Sequence, residues 1–316
     1  SAVYLFRTGA TCSRRNVSVW CTAMPVNKYE AFMRTVELRS ITRAAESLGV
    51  TQSAVSHMIS SLEGELGFAL LRRSRSGAYP TADGERVIPA IRGILSSQEQ
   101  LEQTASAIRG LDRGTVRIGT FTSVGVHWLP GIIASFQAEY PNVELKLMSG
   151  DYHDVEQWLT DGSADLGFVP LPTQIKGVIT PLLEDRLLAV VPADHPLAGA
   201  GAFPAAELGR ETFIGLLETS DRDARSALEC AGVTPQIKYT TKDDYAVIAM
   251  VECGLGVSIM PELLLRSRSE GVRCLPLDPP ASRMIGLCLP DADRAGPATR
   301  RFAESACEWV KANFES

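Results

Sequence analysis

The chain of 316 residues lacks a long apolar run, a closely spaced cysteine pair and a cluster of histidines. No apolar stretch comes near the ~18 residues of a membrane-spanning helix. The seven cysteines are scattered without a C-x-x-C pair, which fits a reducing cytoplasm better than a disulfide framework. The four histidines lie far apart in sequence and show no zinc-like spacing. The sequence therefore predicts a cytoplasmic protein without a membrane partner, a metal or a cofactor.

The first 23 residues contain three arginines and no acidic residue. They also lack the apolar core and the A-x-A cleavage site of a secretory signal peptide. The regular pattern begins after Met24. Residues 1–23 are therefore predicted to be a disordered extension, either native or introduced by cloning.

Charge is distributed unevenly along the chain. Residues 24–110 carry ten Lys and Arg against nine Asp and Glu, whereas residues 111–316 carry 18 against 28. An acidic body of this kind would repel nucleic acid or an anionic membrane. Any contact with DNA is therefore expected from the front of the chain.

A tight turn stands out in the stretch RAAESLGVTQSAVSHMISSLEGELG, which begins at Arg43. Three short helices are predicted from Asn27 to Leu66, and Gly49 suits the positive φ that often ends a helix. Thr51 can cap the next helix by accepting a hydrogen bond from a free backbone N–H. Two helices joined by so short a turn cross steeply, which is helix-turn-helix geometry.

The third predicted helix has one apolar stripe and one polar face. The stripe contains Val55, Ile59, Leu62 and Leu66. The opposite face is small and polar, with no acid before Glu63, and consists of Gln52, Ser53, Ser56, His57 and Ser60. Such a face can donate to and accept from base edges in the major groove without repelling phosphate. The alternative is the solvated face of an ordinary helical hairpin.

The segment FALLRRSRSGAYPTADGERV, from Phe68 to Val87, predicts a short hairpin followed by a helix that begins near Thr81. The hairpin carries Arg72, Arg73 and Arg75. Guanidinium groups at these positions can hold phosphates or enter the minor groove. The hairpin is therefore interpreted as the wing of a winged helix-turn-helix.

Residues 27–86 resemble the winged helix-turn-helix of LysR-type transcriptional regulators. The matching segments are SITRAAESLGVTQSAVSHMISSLEGELGFALLRRS and PTADGE, and the resemblance extends over nearly the whole chain from Met24. Met58, where the family often has glutamine, and Leu71, where an aromatic residue is usual, are small departures. The resemblance implies a DNA-binding regulator rather than an enzyme, and makes RNA polymerase a candidate partner. On this hypothesis the phosphates are held by Thr42, Arg43 and Thr51 together with the three wing arginines.

A long helix is predicted from Asp83 to about Arg109, with Pro89 in its first two turns. Its heptad seam contains Val87, Ile91, Ile94, Gln98, Leu101, Ala105 and Ile108. Such a seam favours dimerisation, and packing of the helix on its own domain is the alternative. The resemblance also implies a homodimer, which is often paired further into a homotetramer.

From Thr115 onwards, strand and helix patterns alternate, which indicates an α/β fold with parallel strands. Two such units joined by crossing strands leave a cleft where ligands bind. The resemblance implies an effector domain of two lobes, like a periplasmic binding protein. The predicted domains are a DNA-binding domain at 24–82, a linker helix at 83–110 and an effector domain at 115–316, with its second lobe at about 193–262.

In the motif GTFTSVG, the hydroxyls of Thr122 and Ser123 could hold a carboxylate, sulfate or phosphate, or Ser123 could merely cap a helix. The resemblance implies a small-molecule effector in the cleft, and suggests an aromatic or aliphatic organic anion. By the same resemblance, the effector contacts are predicted to be Phe121, Thr122, Ser123, Val169, Pro170 and Thr241.

Two other classes of protein share parts of this pattern. A solute-binding protein could have the two lobes but would need an export signal and no helix-turn-helix. An enzyme would need catalytic side chains in the cleft, and GLGVS, from Gly254 to Ser258, is neither a dinucleotide fingerprint nor a nucleophile elbow. A thiol switch is disfavoured because Cys230 and Cys253 lie on different predicted elements.

Overall fold

The computed structural model describes residues 27–74, 77–108, 113–217, 222–267 and 270–314. Residues 1–23 and Arg75 lie outside these ranges. The chain divides into two compact units, of which the first ends at Glu85 and the second begins at Arg86, a few residues after the predicted boundary at 82. None of the helices in the described ranges combines the length and the apolar character that a bilayer crossing demands.

The first unit consists of three helices followed by an antiparallel hairpin. These elements are α1 (Lys28–Leu38), α2 (Ile41–Leu48), α3 (Gln52–Leu66), β1 (Leu71–Ser74) and β2 (Gly77–Pro80). Each helix starts at a polar side chain that accepts a backbone N–H, namely Asn27, Ser40 and Thr51. The predicted helix-turn-helix and its wing are therefore confirmed.

The corner between α2 and α3 depends on local chemistry. Gly49 has φ 66°, and its N–H bonds back to carbonyl groups of the last turn of α2. The Thr51 hydroxyl then accepts a hydrogen bond from the Ala54 N–H at 3.2 Å. Ala45 and Val55 are both buried at the crossing, where the small alanine lets the two helices approach.

A single helix, α4 (Ala82–Ile108), begins in the first unit and continues into the second. One face of its later part packs on the second unit. Arg92 forms an ion pair with Asp161 at 2.5 Å, and the Gln103 side chain donates to the Thr115 carbonyl at 3.1 Å. Glu99 accepts from Arg117 at 2.8 Å.

The predicted heptad positions on α4 lie partly outside this contact. Ile91 is buried, whereas Ile94, Leu101 and Ile108 are 45%, 63% and 82% exposed and follow one another at intervals of seven residues. The helix thus packs on its own unit along one face, as the alternative interpretation required. Three apolar positions of the predicted seam remain uncovered in the single chain.

The rest of the second unit is an α/β body. Its strands are β3 (Gly114–Thr120), β4 (Val143–Ser149), β5 (Leu166–Leu171), β6 (Val178–Pro192), β7 (Phe203–Pro204), β8 (Thr212–Leu216), β9 (Gln236–Thr241), β10 (Ser258–Pro261) and β11 (Val272–Leu289). Its helices are α5 (Thr122–His127), α6 (Leu129–Glu139), α7 (Tyr152–Asp161), α8 (Arg222–Cys230), α9 (Asp244–Glu252) and α10 (Pro297–Phe314). Pro130 in the segment SVGVHWLPGIIASFQAEYP predicts a kinked or restarted helix, and the restart is confirmed because α5 ends and α6 begins around Trp128.

The main sheet has the strand order β10-β6-β11-β5-β3-β4, with β7 added on β11, and β8 and β9 form a separate parallel pair. The long antiparallel strands β6 and β11 run through both lobes. The segments VRCLPL and MIGLCLP predict two separate return strands, whereas β11 is one continuous strand. The reason is an irregular register between Pro276 and Ala281, which interrupts the alternating pattern without ending the strand.

Each lobe has its own core. The first lobe buries a large aromatic cluster that includes Trp128, Phe136, Phe168 and Phe302. The second lobe buries smaller clusters on both sides of its strands, around Phe213 and around Val190. The two lobes are therefore separately packed bodies joined by two strands, an arrangement that places a cleft between them.

We predict opposite effects from two Gly→Ala substitutions in α4. A Cβ on Gly84 would lie 2.2 Å from the Leu70 carbonyl oxygen, so Gly84→Ala should lower the free energy of unfolding by about 1–3 kcal/mol. A Cβ on Gly93 would meet nothing within 4 Å, so Gly93→Ala should raise it by about 0.5–1 kcal/mol. Urea unfolding followed by circular dichroism measures both. Stabilisation by Gly84→Ala would contradict the close packing described for Gly84, and destabilisation by Gly93→Ala would contradict the open surroundings of Gly93.

Candidate functional site

The polar face of α3 is accessible. Gln52, Ser53 and His57 are exposed and Ser56 is half-buried. The Ser53 hydroxyl lies 3.0 Å from the Thr51 hydroxyl, which also caps the helix. The four predicted base-reading residues thus lie on one outward face of a single helix, which is the presentation that a major groove requires.

The acidic residues of α3 are engaged in bonds within the unit. The Glu63 carboxylate accepts from the Leu70 and Leu71 N–H groups at 2.8 and 3.1 Å, which fixes the start of the wing to α3. Glu65 bonds to Lys28, and this bond lowers the pKa of Glu65. Carboxylates that could repel phosphate are therefore already bound to donors of the protein.

Five of the six predicted phosphate contacts lie in the described residues, on α2, on the wing and, for Thr51, at the start of α3. Thr42 and Arg43 are exposed in the first turn of α2. On the wing, Arg72 and Arg73 are exposed and stand opposite Tyr79 and Ala78 in the hairpin register. The structure therefore places arginines at two separate exposed positions of the first unit.

The second unit contains a cavity of about 280 Å³ between its lobes. Phe121, Thr122 and Ser123 line it, as the sequence predicted they would line a ligand pocket. Its apolar wall also includes Leu216, Ile259 and Leu264. Its polar lining includes Asp154, Asp223, Asp244, Lys242 and Arg283. The cavity thus offers one apolar wall and a polar wall in which acids outnumber bases.

Three other predicted effector contacts do not line this cavity. Val169 is fully buried on the opposite side of the first-lobe sheet, among the residues that α7 covers. Pro170 is buried, and its carbonyl accepts from Arg222 at 3.0 Å. The Thr241 hydroxyl accepts from the Asp243 N–H at 3.1 Å, and the next residue, Lys242, lines the cavity instead.

A buried arginine dominates the polar wall. A guanidinium has five N–H groups, and each group of Arg283 has an acceptor. Nε and Nη2 donate to Asp185 at 2.9 and 2.7 Å, and Nη2 also donates to Ser123 at 2.8 Å. Nη1 donates to the Tyr152 hydroxyl and, at 3.3 Å, to Asp223. Arg283 therefore has no N–H left over for a ligand unless one of these bonds is exchanged.

The titration of this cluster follows from its burial. Burial raises the pKa of Asp185, while Arg283 and the Leu263 N–H oppose the rise. Burial also raises the pKa of the Tyr152 phenol, so that the hydroxyl keeps its proton. Although burial disfavours its charged form, Tyr152, Asp185 and Asp223 raise the pKa of Arg283 overall. The cluster is therefore a permanent cation surrounded by acceptors.

Asp244 stands apart from this network. Burial raises the pKa of Asp244, and a hydrogen bond from the Thr122 side chain opposes the rise. Both residues line the cavity. A carboxylate that loses hydration in this way gains from any donor group that a ligand brings next to it.

The sequence reasoning missed Asp185, Tyr152, Asp223, Asp244 and Arg283. A signal was present for two of them, since Asp185 and Arg283 each interrupt a mainly apolar strand segment, LLEDRLLAVV and SRMIGLCL. A charge inside a buried strand needs a partner. Their pairing across 98 residues cannot, however, be read from one sequence.

The thiols differ in exposure. Burial raises the pKa of Cys288 to about 11, and burial also raises the pKa of Cys307. Such thiols are poor nucleophiles at neutral pH. Cys230 and Cys253 are exposed at the ends of α8 and α9. Among the described residues, no group of three or more Cys, His, Asp and Glu is arranged to hold a metal ion.

Comparison with known proteins gives two family matches. Residues 26–85 match the family described as "Bacterial regulatory helix-turn-helix protein, lysR family". Residues 109–311 match the "LysR substrate binding domain". Together the two matches cover both structural units.

Individual proteins agree with these matches. The chain is 33% identical over 288 residues to YvbU of Bacillus subtilis (strain 168), an uncharacterized HTH-type transcriptional regulator, with 90% of this chain and 98% of the relative covered. Full-length OxyR of Pseudomonas aeruginosa superposes with a TM-score of 0.73 at 22% identity, covering 90% of this chain and 93% of that one. The effector-binding domain of QuiR, solved with shikimate, gives a TM-score of 0.58 at 22% identity and covers 64% and 99%. At these identities the two structures show the fold alone.

We predict that Arg283→Met lowers the free energy of unfolding near pH 7 by about 3–5 kcal/mol, because it leaves Asp185 buried without a counter-charge. Near pH 5 the destabilisation should be smaller. Burial already raises the pKa of Asp185, so without Arg283 the folded state takes up a proton more readily and is relatively favoured as the pH falls.

The matched control is Arg186→Ala, which breaks an exposed pair with Glu262 at 2.8 Å and should cost about 0–1 kcal/mol at either pH. Urea denaturation at the two pH values distinguishes the variants. Equal and pH-independent destabilisation of both would contradict the buried-charge account of Arg283.

Proposed function

Since the chain belongs to the LysR family of bacterial transcriptional regulators, we propose that it binds a dyad-related promoter site and that a small molecule between its lobes controls this binding. We place this activity in the cytoplasm. The observation that carries the proposal is the capped α2–α3 corner, which presents the acid-free face of α3 outward. The naming of the relatives as transcriptional regulators favours this function over a solute binder or an enzyme.

On double-stranded DNA, α3 would lie in the major groove with Gln52, Ser53, Ser56 and His57 at base edges. Thr42, Arg43 and Thr51 would meet phosphates beside the groove, and Arg72 and Arg73 would do so from the wing. Arg75 keeps the same proposed role, although it lies outside the described residues. In the described part of the first unit these side chains are exposed, apart from the half-buried Ser56, and this exposure supports the assignment.

The proposed active species is a homodimer, which can pair further into a homotetramer. Support comes from Ile94, Leu101 and Ile108, whose exposed side chains repeat every seven residues on α4. Burying this stripe against a second copy would place two α3 helices on one DNA duplex. The dimer would then set the spacing between the two half-sites, and RNA polymerase bound nearby would respond to the position of the dimer on the DNA.

The effector chemistry follows from the charges of the cavity. Asp154, Asp223 and Asp244 face Lys242 and an Arg283 whose five N–H groups are all engaged. A second negative charge on the ligand would meet these carboxylates without a free cation to match it. The lining therefore supports an effector with at most one carboxylate and with donor groups for Asp244, and it disfavours a dianion.

The proposed coupling uses residues that join the lobes. The Tyr152 hydroxyl on α7 donates to Asp223 on α8, and the Arg222 side chain donates to the Pro170 and Pro172 carbonyls at 3.0 Å. A ligand that exchanges partners with Asp223 or Tyr152 would change the preferred angle between the lobes. Such a ligand acts by its differential affinity for the two arrangements.

We expect the purified protein to protect a dyad-related site in the DNA beside its own gene, in a footprinting experiment at low salt. Repeating the footprint with monocarboxylates, dicarboxylates and primary amines should reveal a compound that changes the extent of protection.

The absence of any protection at low salt, where non-specific attraction is strongest, would overturn the DNA-binding proposal. A dicarboxylate as the strongest modulator would overturn the charge argument and leave the DNA-binding proposal intact.

Thr122→Val should abolish or weaken the response to the compound found in this way, because it removes the hydroxyl that bonds to Asp244 in the cavity wall. DNA binding without the compound should stay at the level of the unsubstituted protein. The matched control is Thr115→Val, which removes a hydroxyl bonded to Glu144 on the surface. Isothermal titration and footprinting measure the two effects, and an unchanged response of Thr122→Val would exclude this cavity contact.

A further inference from the structure

Arg39 has an unusual backbone conformation for an arginine. It ends α1 with φ 52° and ψ 26°, and it is the only residue other than glycine with a positive φ in the described ranges. The conformation is strained for a residue with a Cβ. The fold needs it because the Arg39 carbonyl accepts from the Ala78 N–H at 3.0 Å, which joins the end of α1 to the wing.

Glycine would satisfy this backbone geometry at lower cost, so the arginine side chain is not explained by the fold. Its guanidinium carbon lies 5.7 Å from the centroid of the Tyr79 ring. Arg72, on the neighbouring wing strand, also lies 5.7 Å from the same centroid. Two like charges are thus held beside one aromatic ring, an arrangement that an anion between or beside them would stabilise.

The surroundings leave this positive charge uncompensated. Arg39, Arg43 and Tyr79 line a hollow of about 470 Å³ on the first unit, together with Glu37. Glu37 is already paired with Arg34 at 2.9 Å. Within the described residues, no ion pair is formed by Arg39, Arg43 or Arg72, and all three are exposed.

We propose that Arg39 and Arg72, oriented by Tyr79 and assisted by Arg43, form a clamp for a phosphate of the DNA backbone. The proposal rests on the proposed function. It adds the corner between α1 and α2 to the DNA-binding surface and assigns a role to two residues, Arg39 and Tyr79, outside the predicted set. A planar guanidinium can bind phosphate oxygens through two N–H groups, and a cation–π contact with the Tyr79 ring at 5.7 Å restricts where each guanidinium lies.

The test uses the full-length protein, a duplex containing the footprinted site and a random-sequence duplex of equal length. Arg39→Gly removes the cation and relieves the backbone strain, so its unfolding temperature should equal or exceed that of the unsubstituted protein. At about 0.1 M salt, its affinity should fall on the order of threefold to tenfold for both duplexes alike. The slope of log K against log salt should become shallower by about 0.9 for each phosphate that the variant no longer neutralises.

Three further variants make the result specific. Arg39→Lys should retain most of the salt slope, since it keeps the charge. Arg225→Ala removes an exposed arginine from α8 in the other unit and should leave affinity and slope unchanged. Gln52→Ala should instead weaken binding mainly to the footprinted site, by roughly fivefold to 150-fold through the loss of one base contact.

If Arg39→Gly binds both duplexes with the affinity and slope of the unsubstituted protein, the clamp is wrong although DNA binding stands. If Arg225→Ala weakens binding as much as Arg39→Gly does, the effect is one of net charge and the clamp is again wrong. If the unsubstituted protein binds neither duplex at low salt, the proposed function itself fails. These outcomes separate the inference from the function on which it rests.

Discussion

The buried guanidinium of Arg283 constrains the whole second unit. A cation removed from water at this depth is tolerated only when each of its N–H groups has an acceptor. The acceptors come from α5, α7 and α8 and from the crossing strand β6, through Ser123, Tyr152, Asp223 and Asp185. Both lobes and their connection therefore meet at one side chain, and the lobes cannot separate without breaking bonds to it.

This constraint has a consequence for control by a ligand. Ser123, Tyr152 and Asp223 bond to Arg283 and also line the cavity, so the groups that could bind an effector are the groups that hold the lobes together. A ligand that offers a donor to Asp223 and an acceptor to the Arg283 N–H groups can replace some of these bonds without leaving a buried charge unpaired. Ligand binding and rearrangement of the lobes then involve the same hydrogen bonds, so the free energy of ligand binding can drive the rearrangement of the lobes.

The features predicted from sequence are those that depend on neighbouring residues. Gly49 and Thr51 define the corner between α2 and α3 through bonds that span three or four residues, and the sequence was sufficient to locate it. The family resemblance placed Phe121, Thr122 and Ser123 at the cavity. It also suggested Val169, which lies in the core on the far side of the sheet. The sequence does not show which face of this strand meets the cavity, because both faces of a doubly covered strand are apolar.

The charged residues of the cavity were beyond local reasoning. Asp185 and Arg283 are 98 positions apart, and Ser123 and Arg283 are 160 apart. Each looks like an isolated polar residue until the topology of β6 and β11 places them side by side. The strained conformation of Arg39 was equally invisible, because it follows from a bond to the wing that the sequence pattern does not encode.

The two units use charge in opposite ways. In the first unit the carboxylates of Glu37 and Glu63 are bound internally, and arginines point outward. In the second unit the arginine is bound internally and carboxylates face the cavity, and residues 111–316 carry ten more acidic than basic residues. The first unit is thus expected to attract DNA and the acidic second unit to repel it, so the DNA-binding domain of a single protomer should bind weakly. Affinity would then depend on simultaneous binding by the DNA-binding domains of two protomers. The affinity would therefore be sensitive to small changes in the spacing of these two domains.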